Sequence, residues 1–257
     1  MTESSFYVGY LPLPPAWRGF VRVAGAISVL LALGATLVLA FAQPGAGDGS
    51  WDDDEIALEG VLSAEPYPLL RATDPSAPGE SRAWLLVSEG KHGTAERVAK
   101  LLVDAPQKRV RVHGLPLRRR DQRVFELVDG DRALEVLGDA EALTAEVPAA
   151  ITLRGEIIDP KCWLGAMRPG TGLVHRACAA LCIEGGIPPC FVGGPSGEAP
   201  RFYVLTDAQG APCNDAVAEK AGLLVEMNAE HLVRGGVDYL RVDPASIVFV
   251  AGGEQRR

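Results

Sequence analysis

Ala57-Leu58-Glu59-Gly60-Val61-Leu62 and Thr152-Leu153-Arg154-Gly155-Glu156-Ile157 carry a glycine at the same place in comparable, largely apolar runs. Side chains along a strand alternate between faces, so each stretch reads as a strand containing one residue without a Cβ. The order of elements after the two stretches also matches. Ala83–Val87 reads as a strand, and Arg201–Asp207 corresponds in order to Arg82–Ser88. The first half continues with strands at Lys108–Leu115, Val124–Val128 and Ala133–Leu137, echoed by Leu224–Asn228, Val237–Val242 and Ser246–Val250. Thr94–Asp104 reads as a short amphipathic helix, with Val98, Leu101 and Leu102 on one side. The chain therefore reads as an internal duplication with a seam near Leu143–Ala149.

Each half has about five short strands, a glycine in the first and an excursion before the last hairpin, which resembles the small barrel of the OB class. In so small a barrel the glycine lets the first strand bend sharply enough to serve both sides. A single irregular β-sandwich is the competing architecture. The resemblance concerns fold and implies no activity.

The duplicated region is preceded by an uncharged run from Val23 to Ala42, about the twenty residues needed to cross a bilayer as a helix. Arg18 and Arg22 lie before it, and Asp48 with Asp52-Asp53-Asp54-Glu55 after it. Positive flanks stay inside, so the N-terminus is expected in the cytoplasm and the rest on the periplasmic or extracytoplasmic side. Trp17 and Phe20 are candidate headgroup anchors. A cleaved signal peptide ending at Ala40-Phe41-Ala42 is the rival, although the apolar run is long for one. The expected layout is a cytoplasmic tail over 1–22, a membrane helix over 23–42, a solvated linker over 43–55, and OB-like domains over 56–142 and 150–251, the second with a Cys/His-rich helical insertion at 159–190. A net charge of -8 argues against a nucleic-acid partner. Arg118-Arg119-Arg120 with Arg123 reads as a solvated hairpin.

The chemistry is concentrated in that insertion. Four of the 5 cysteines fall there, at 162, 178, 182 and 190, whereas the matching place in the first half holds only Glu65-Pro66-Tyr67. Leu173–Ile183 reads as a short helix ending at Gly185-Gly186, placing His175, Cys178 and Cys182 on one face. With Cys162 these form a candidate metal set, His175 and three thiolates, suited to zinc or cuprous copper. Met167 is a possible supplementary thioether for copper, and Asp159 a candidate acceptor for the histidine ring. Two other readings stay open. In an oxidising compartment Cys162 pairs with Cys178 or Cys182, and Cys190 with another, as disulfides that clamp the excursion, leaving Cys213 odd in a turn. Alternatively one cysteine is a reactive, redox-cycling thiol polarised by His175. His92, His113 and His231 have no partners at ligand spacing.

The segment from Gly155 through Pro189 resembles a motif of exported bacterial proteins, and the anchored layout is similar to that of accessory subunits in respiratory or metal-handling complexes. The resemblance implies a non-enzymatic accessory or interaction protein with a membrane-complex partner. A periplasmic thiol-redox enzyme or electron-transfer component using the same cluster is the alternative.

Overall fold

The computed structural model describes residues 13–42, 48–140 and 147–250. The start of the expected tail, part of the linker and most of the seam lie outside them. Two units are distinct, an N-terminal helix and a β body beginning at Ala46.

The helix α1 (Pro15–Ala42) is longer than the uncharged run, so Arg18 and Arg22 lie within its first turns. Proline at its first position has its fixed φ already suited to a helix and forfeits no bond the helix needs. Its 28 residues, none of them buried, make it long and apolar enough to cross a membrane.

The body consists of two closed five-stranded barrels. The first is built from β2 (Ile56–Ser63), β3 (Leu69–Thr73), β4 (Ser81–Ser88), β5 (Gln107–Arg119) and β6 (Gln122–Leu127). β2 pairs antiparallel with β3, and β3 with β4; β4 runs parallel to β6, β6 pairs with β5, and β5 returns to β2. α2 (Ala95–Leu101) enters between the third and fourth strands. β8 (Ala149–Ile158), β9 (Cys190–Gly194), β10 (Arg201–Thr206), β11 (Leu224–Arg234) and β12 (Val237–Arg241) repeat this circuit, again with the third and fifth strands parallel. α4 (Asn214–Val217) stands where α2 does. β7 (Leu134–Asp139) pairs with β5 and β13 (Val248–Phe249) with β11. This is the OB circuit twice over, and the sandwich alternative is set aside.

Both first-strand glycines sit where strands touch. A Cβ on Gly60 would lie 2.0 Å from the Arg71 carbonyl oxygen, and one on Gly155 would lie 2.3 Å from that of Val192. No side chain fits at such a distance, so the glycines permit the close approach that closes each barrel.

The acidic stretch after α1 is less free than a solvated linker. β1 (Gly49–Trp51) pairs with the end of β5, Arg119 donates to Asp48 at 2.6 Å, and Arg118 pairs with Asp52. The arginine run is thus a clamp as well as a hairpin, with Arg123 donating to buried Asp74 at 2.7 Å.

Each barrel has its own core, around Trp84 and Phe125 in the first and Phe191 and Tyr203 in the second. A third cluster joins them, with Leu69, Leu85 and Leu117 packed with Trp163, Leu164, Ile187 and Phe202. Much of this joint is supplied by the insertion between β8 and β9, the loop position at which OB barrels commonly bind ligands.

Candidate metal centre

The insertion opens with a helix-start signal. Asp159 accepts the Cys162 backbone N–H through Oδ1 at 2.8 Å, and Pro160 follows at the first helical position. A carboxylate cap followed by proline initiates a helix well, but this one is a single wide turn, Cys162–Ala166. Within it the helical path breaks at Gly165, whose φ of 152° and whose contact with Ser50, where a Cβ would lie 2.8 Å from the carbonyl carbon, both demand glycine. Cys162 is thereby fixed at the joint between the barrels.

α3 (Arg176–Glu184) supplies the next two sulfurs, Cys178 half-buried and Cys182 buried. Four residues apart on a helix, they lie one turn above the other on one face. The thiols of Cys162, Cys178 and Cys182 gather so that their sulfurs all lie within 4.8 Å of one another. His175 precedes α3, is buried, and directs Nε2 to Asp159 Oδ2 at 3.0 Å. Its ring lies within the same reach of Cys162 and Asp159 but does not join Cys178 and Cys182 in one sphere. Asp159 therefore holds two parts of the site, the cap of Cys162 through one oxygen and the imidazole through the other.

Disulfide formation, expected as one reading, is not found: all five cysteines are free and no sulfur pair lies within 4 Å, against about 2 Å for a bonded pair. One helical turn keeps Cys178 and Cys182 apart, and Cys162 meets them at the distance of co-ligands rather than of a bonded pair. Cys190 is buried on β9 in the barrel joint, and Cys213, expected in a turn, is buried before α4 with its N–H donated to the Tyr67 hydroxyl at 3.0 Å. Burial pushes the Cys213 thiol up to about 12 and raises that of Cys190 as well.

Sequence reasoning missed Lys91. Its ammonium, on the loop after β4, donates to Cys178 Sγ at 2.8 Å and reaches Cys182 Sγ at 3.5 Å. Nothing in Glu89-Gly90-Lys91-His92-Gly93 marks it beyond a glycine-bounded turn, because its partners are 87 and 91 positions away. The loop is pinned to the end of α3: the Gly93 N–H donates to the Gly185 carbonyl at 2.9 Å, and a Cβ on Gly185 would lie 1.8 Å from the Lys91 oxygen. Burial works against the ammonium, yet the bond to Cys178 and the charges of both sulfurs raise its affinity for its proton.

The sulfurs differ electrically. The neighbouring Cys162 thiol draws Cys182 down to about 7, with Lys91 assisting against burial and Asp159. The nearness of Cys182, together with burial, drives Cys162 upward. Of the two, Cys182 is the more readily ionised.

Beside them Lys161 crosses the joint, its ammonium donating to the carbonyls of Ser88 at 3.1 Å and Gly90 at 2.8 Å and lying 3.0 Å from Glu126 Oε2. The sulfurs open into a cleft of about 690 Å³ whose walls include Trp51, Leu115, Met167 and the two lysines. The remaining expectations resolve simply. His231 bonds Asp238 at 2.6 Å, His113 lies 3.7 Å from Glu55, and His92 lies on the Lys91 loop.

Comparison with protein-family models, with curated proteins and with solved structures gave no match to this chain.

Proposed function

We propose that the chain is a single-pass, membrane-anchored accessory protein whose body lies on the periplasmic or extracytoplasmic side and holds zinc or copper through Cys162, Cys178 and Cys182. The observation carrying the reading is the convergence of three sulfurs within 4.8 Å at the floor of a cleft. Thiolates are soft ligands and suit both metals. Lys91 offsets part of the negative charge that three thiolates bring together. His175 acts on the set through Asp159, as outer partners of a metal site do, and stands nearest to Cys162.

Location follows from the charge on either side of α1, Arg18 and Arg22 before it and the acidic stretch after it. The accessory role rests on the exposure of apolar Leu173, Val174 and Leu181 at and before α3, side chains that a membrane-complex partner would cover.

Native mass spectrometry of the full chain, released from detergent and prepared without chelator, tests this. One equivalent of zinc or copper, absent from Cys182→Ser and retained by Cys213→Ser, supports the site. Metal-free wild-type protein with all thiols reduced, even after reconstitution with either metal, overturns it.

A second reading, a thiol-redox or electron-transfer component, is favoured by one observation: Lys91 lies against the Cys178 and Cys182 sulfurs on the wall of a cleft, a setting that favours a thiolate. Metal-independent exchange of Cys182 with a small dithiol would select it.

A further inference from the structure

Three sulfurs alone do not distinguish copper from zinc. The difference lies in what a fourth ligand would meet. Zinc in protein sites is almost always four-coordinate and tetrahedral, whereas cuprous ion is satisfied by fewer soft ligands. Among the described residues, no histidine, aspartate or glutamate brings a ligand atom within 4.8 Å of all three sulfurs. His175 is turned to Asp159, and Glu126 is occupied by Lys161.

What does face the sulfurs is a cation. Lys91 lines the cleft with the three cysteines and sits 2.8 Å and 3.5 Å from two of them. Its backbone is not free to withdraw, since the carbonyl of Lys91 is seated against Gly185 and Gly93 is bonded to the same glycine. An ammonium bonded to two of the three sulfurs competes for their open side with water or another donor. It also repels a dication twice as strongly as a monocation at equal distance.

Resting on the metal-site reading, we propose that the Cys162/Cys178/Cys182 site is a three-coordinate site for cuprous ion, and that Lys91 is the residue that discriminates against zinc. The thiols that still carry protons release them to solvent on binding, and the copper arrives and stays as Cu(I), so no electron is transferred. Lys91 touches sulfur rather than metal and acts as a positioning and charge-setting group.

The test is an anaerobic competition titration of the full chain in detergent, with chromophoric chelators for Cu(I) and for zinc. It compares wild type, Lys91→Leu and Lys91→Arg. Wild type is expected to bind one Cu(I) in preference to zinc. Lys91→Leu, uncharged and unable to ligate metal, should narrow the copper-to-zinc affinity ratio by about tenfold or more, mainly through tighter zinc binding, as expected from removing a nearby charge. Lys91→Arg keeps the charge and should stay within about threefold of wild type in that ratio. Near-ultraviolet circular dichroism checks that each variant retains the packing around Trp163. An unchanged ratio in a folded Lys91→Leu protein overturns the assignment to Lys91 while leaving the metal site standing. Wild-type protein that prefers zinc overturns the cuprous assignment. Failure of wild type to bind either ion overturns the site itself.

Discussion

The ammonium of Lys91, on the first barrel, lies 2.8 Å from the sulfur of Cys178, on the insertion of the second. One contact thus joins the chemistry of the site to the packing of the two barrels, because the loop that carries Lys91 also seats the end of α3. Metal binding should therefore stabilise the body as a whole. With free metal at about a hundred times its dissociation constant the gain is about 2.7 kcal/mol. Thermal unfolding of loaded protein against protein stripped by chelator should show the loaded form melting higher, and equal midpoints would deny the coupling.

Asp159 carries two loads. Asp159→Ala should lose about 1 kcal/mol for the cap on Cys162 and about 1–3 kcal/mol for the histidine left without its partner in a buried place. Asp159→Asn keeps an oxygen for the cap, so it should recover part of the stability. If His175 acts on the metal set through this carboxylate, both variants should bind metal about 10–100-fold more weakly. Denaturant melts and metal titrations on the same two proteins separate these effects.

Glycine 185 is required by the neighbouring barrel and not by its own helix, for its φ of -73° is open to any residue. A Cβ there would strike the Lys91 carbonyl oxygen at 1.8 Å. Gly185→Ala is expected to cost about 1–3 kcal/mol by overpacking and to shift Lys91 from the sulfurs. Gly197→Ala is a useful contrast, because a Cβ there meets nothing within 4 Å and the cost comes only from its φ of 93°. Urea unfolding of the pair, with metal titration alongside, should give the larger change in metal affinity to Gly185→Ala.

Acid stability should depend on Asp74. Burial pushes its carboxyl up, but hydrogen bonds from Ser76 and Arg123 outweigh this and hold it below the ordinary 3.8. A carboxylate whose folded pKa is lowered stabilises the fold above its unfolded pKa and ceases to do so as pH falls through the folded value. Stability should accordingly decline below about pH 3.8 more steeply in wild type than in Asp74→Asn, which is the less stable of the two at pH 7. Parallel curves would show that Asp74 contributes nothing there.

Removing residues 1–45 should leave a folded, water-soluble body, since α1 has no buried residue and the body has complete cores of its own. Membrane fractionation and circular dichroism of the truncated protein check both halves of the statement.

Much of this architecture was legible because it is periodic. Gly60 and Gly155 recur in equivalent strands, and the register that needs them is a property of each strand with its neighbour. The third strands, β4 and β10, were matched for the same reason. The short strands β3 and β9 were missed: Leu69–Thr73 follows Pro66-Tyr67-Pro68, and Cys190–Gly194 is bracketed by proline and glycine, so local signals there speak for turns. β1 was hidden in an acidic spacer because its partner lies about seventy residues on, in β5. In the site, the three sulfurs and the Asp159–His175 pair were readable from helical spacing and residue type. Lys91 was not, since a cation next to thiols arises from the docking of two barrels and leaves no local pattern. The disulfide expectation failed because proximity in sequence does not bring sulfurs to bonding distance: all five cysteines stay free, with Cys190 buried on β9.

The most direct measurement is X-ray absorption at the metal edge of the reconstituted full chain, with Cys162→Ser, Cys178→Ser and Cys182→Ser beside wild type. A first shell of three sulfurs at about 2.2–2.3 Å, losing one sulfur in each variant, is the expected result. A shell dominated by nitrogen or oxygen, or one that none of the three substitutions alters, would contradict a thiolate metal centre at the joint of the barrels.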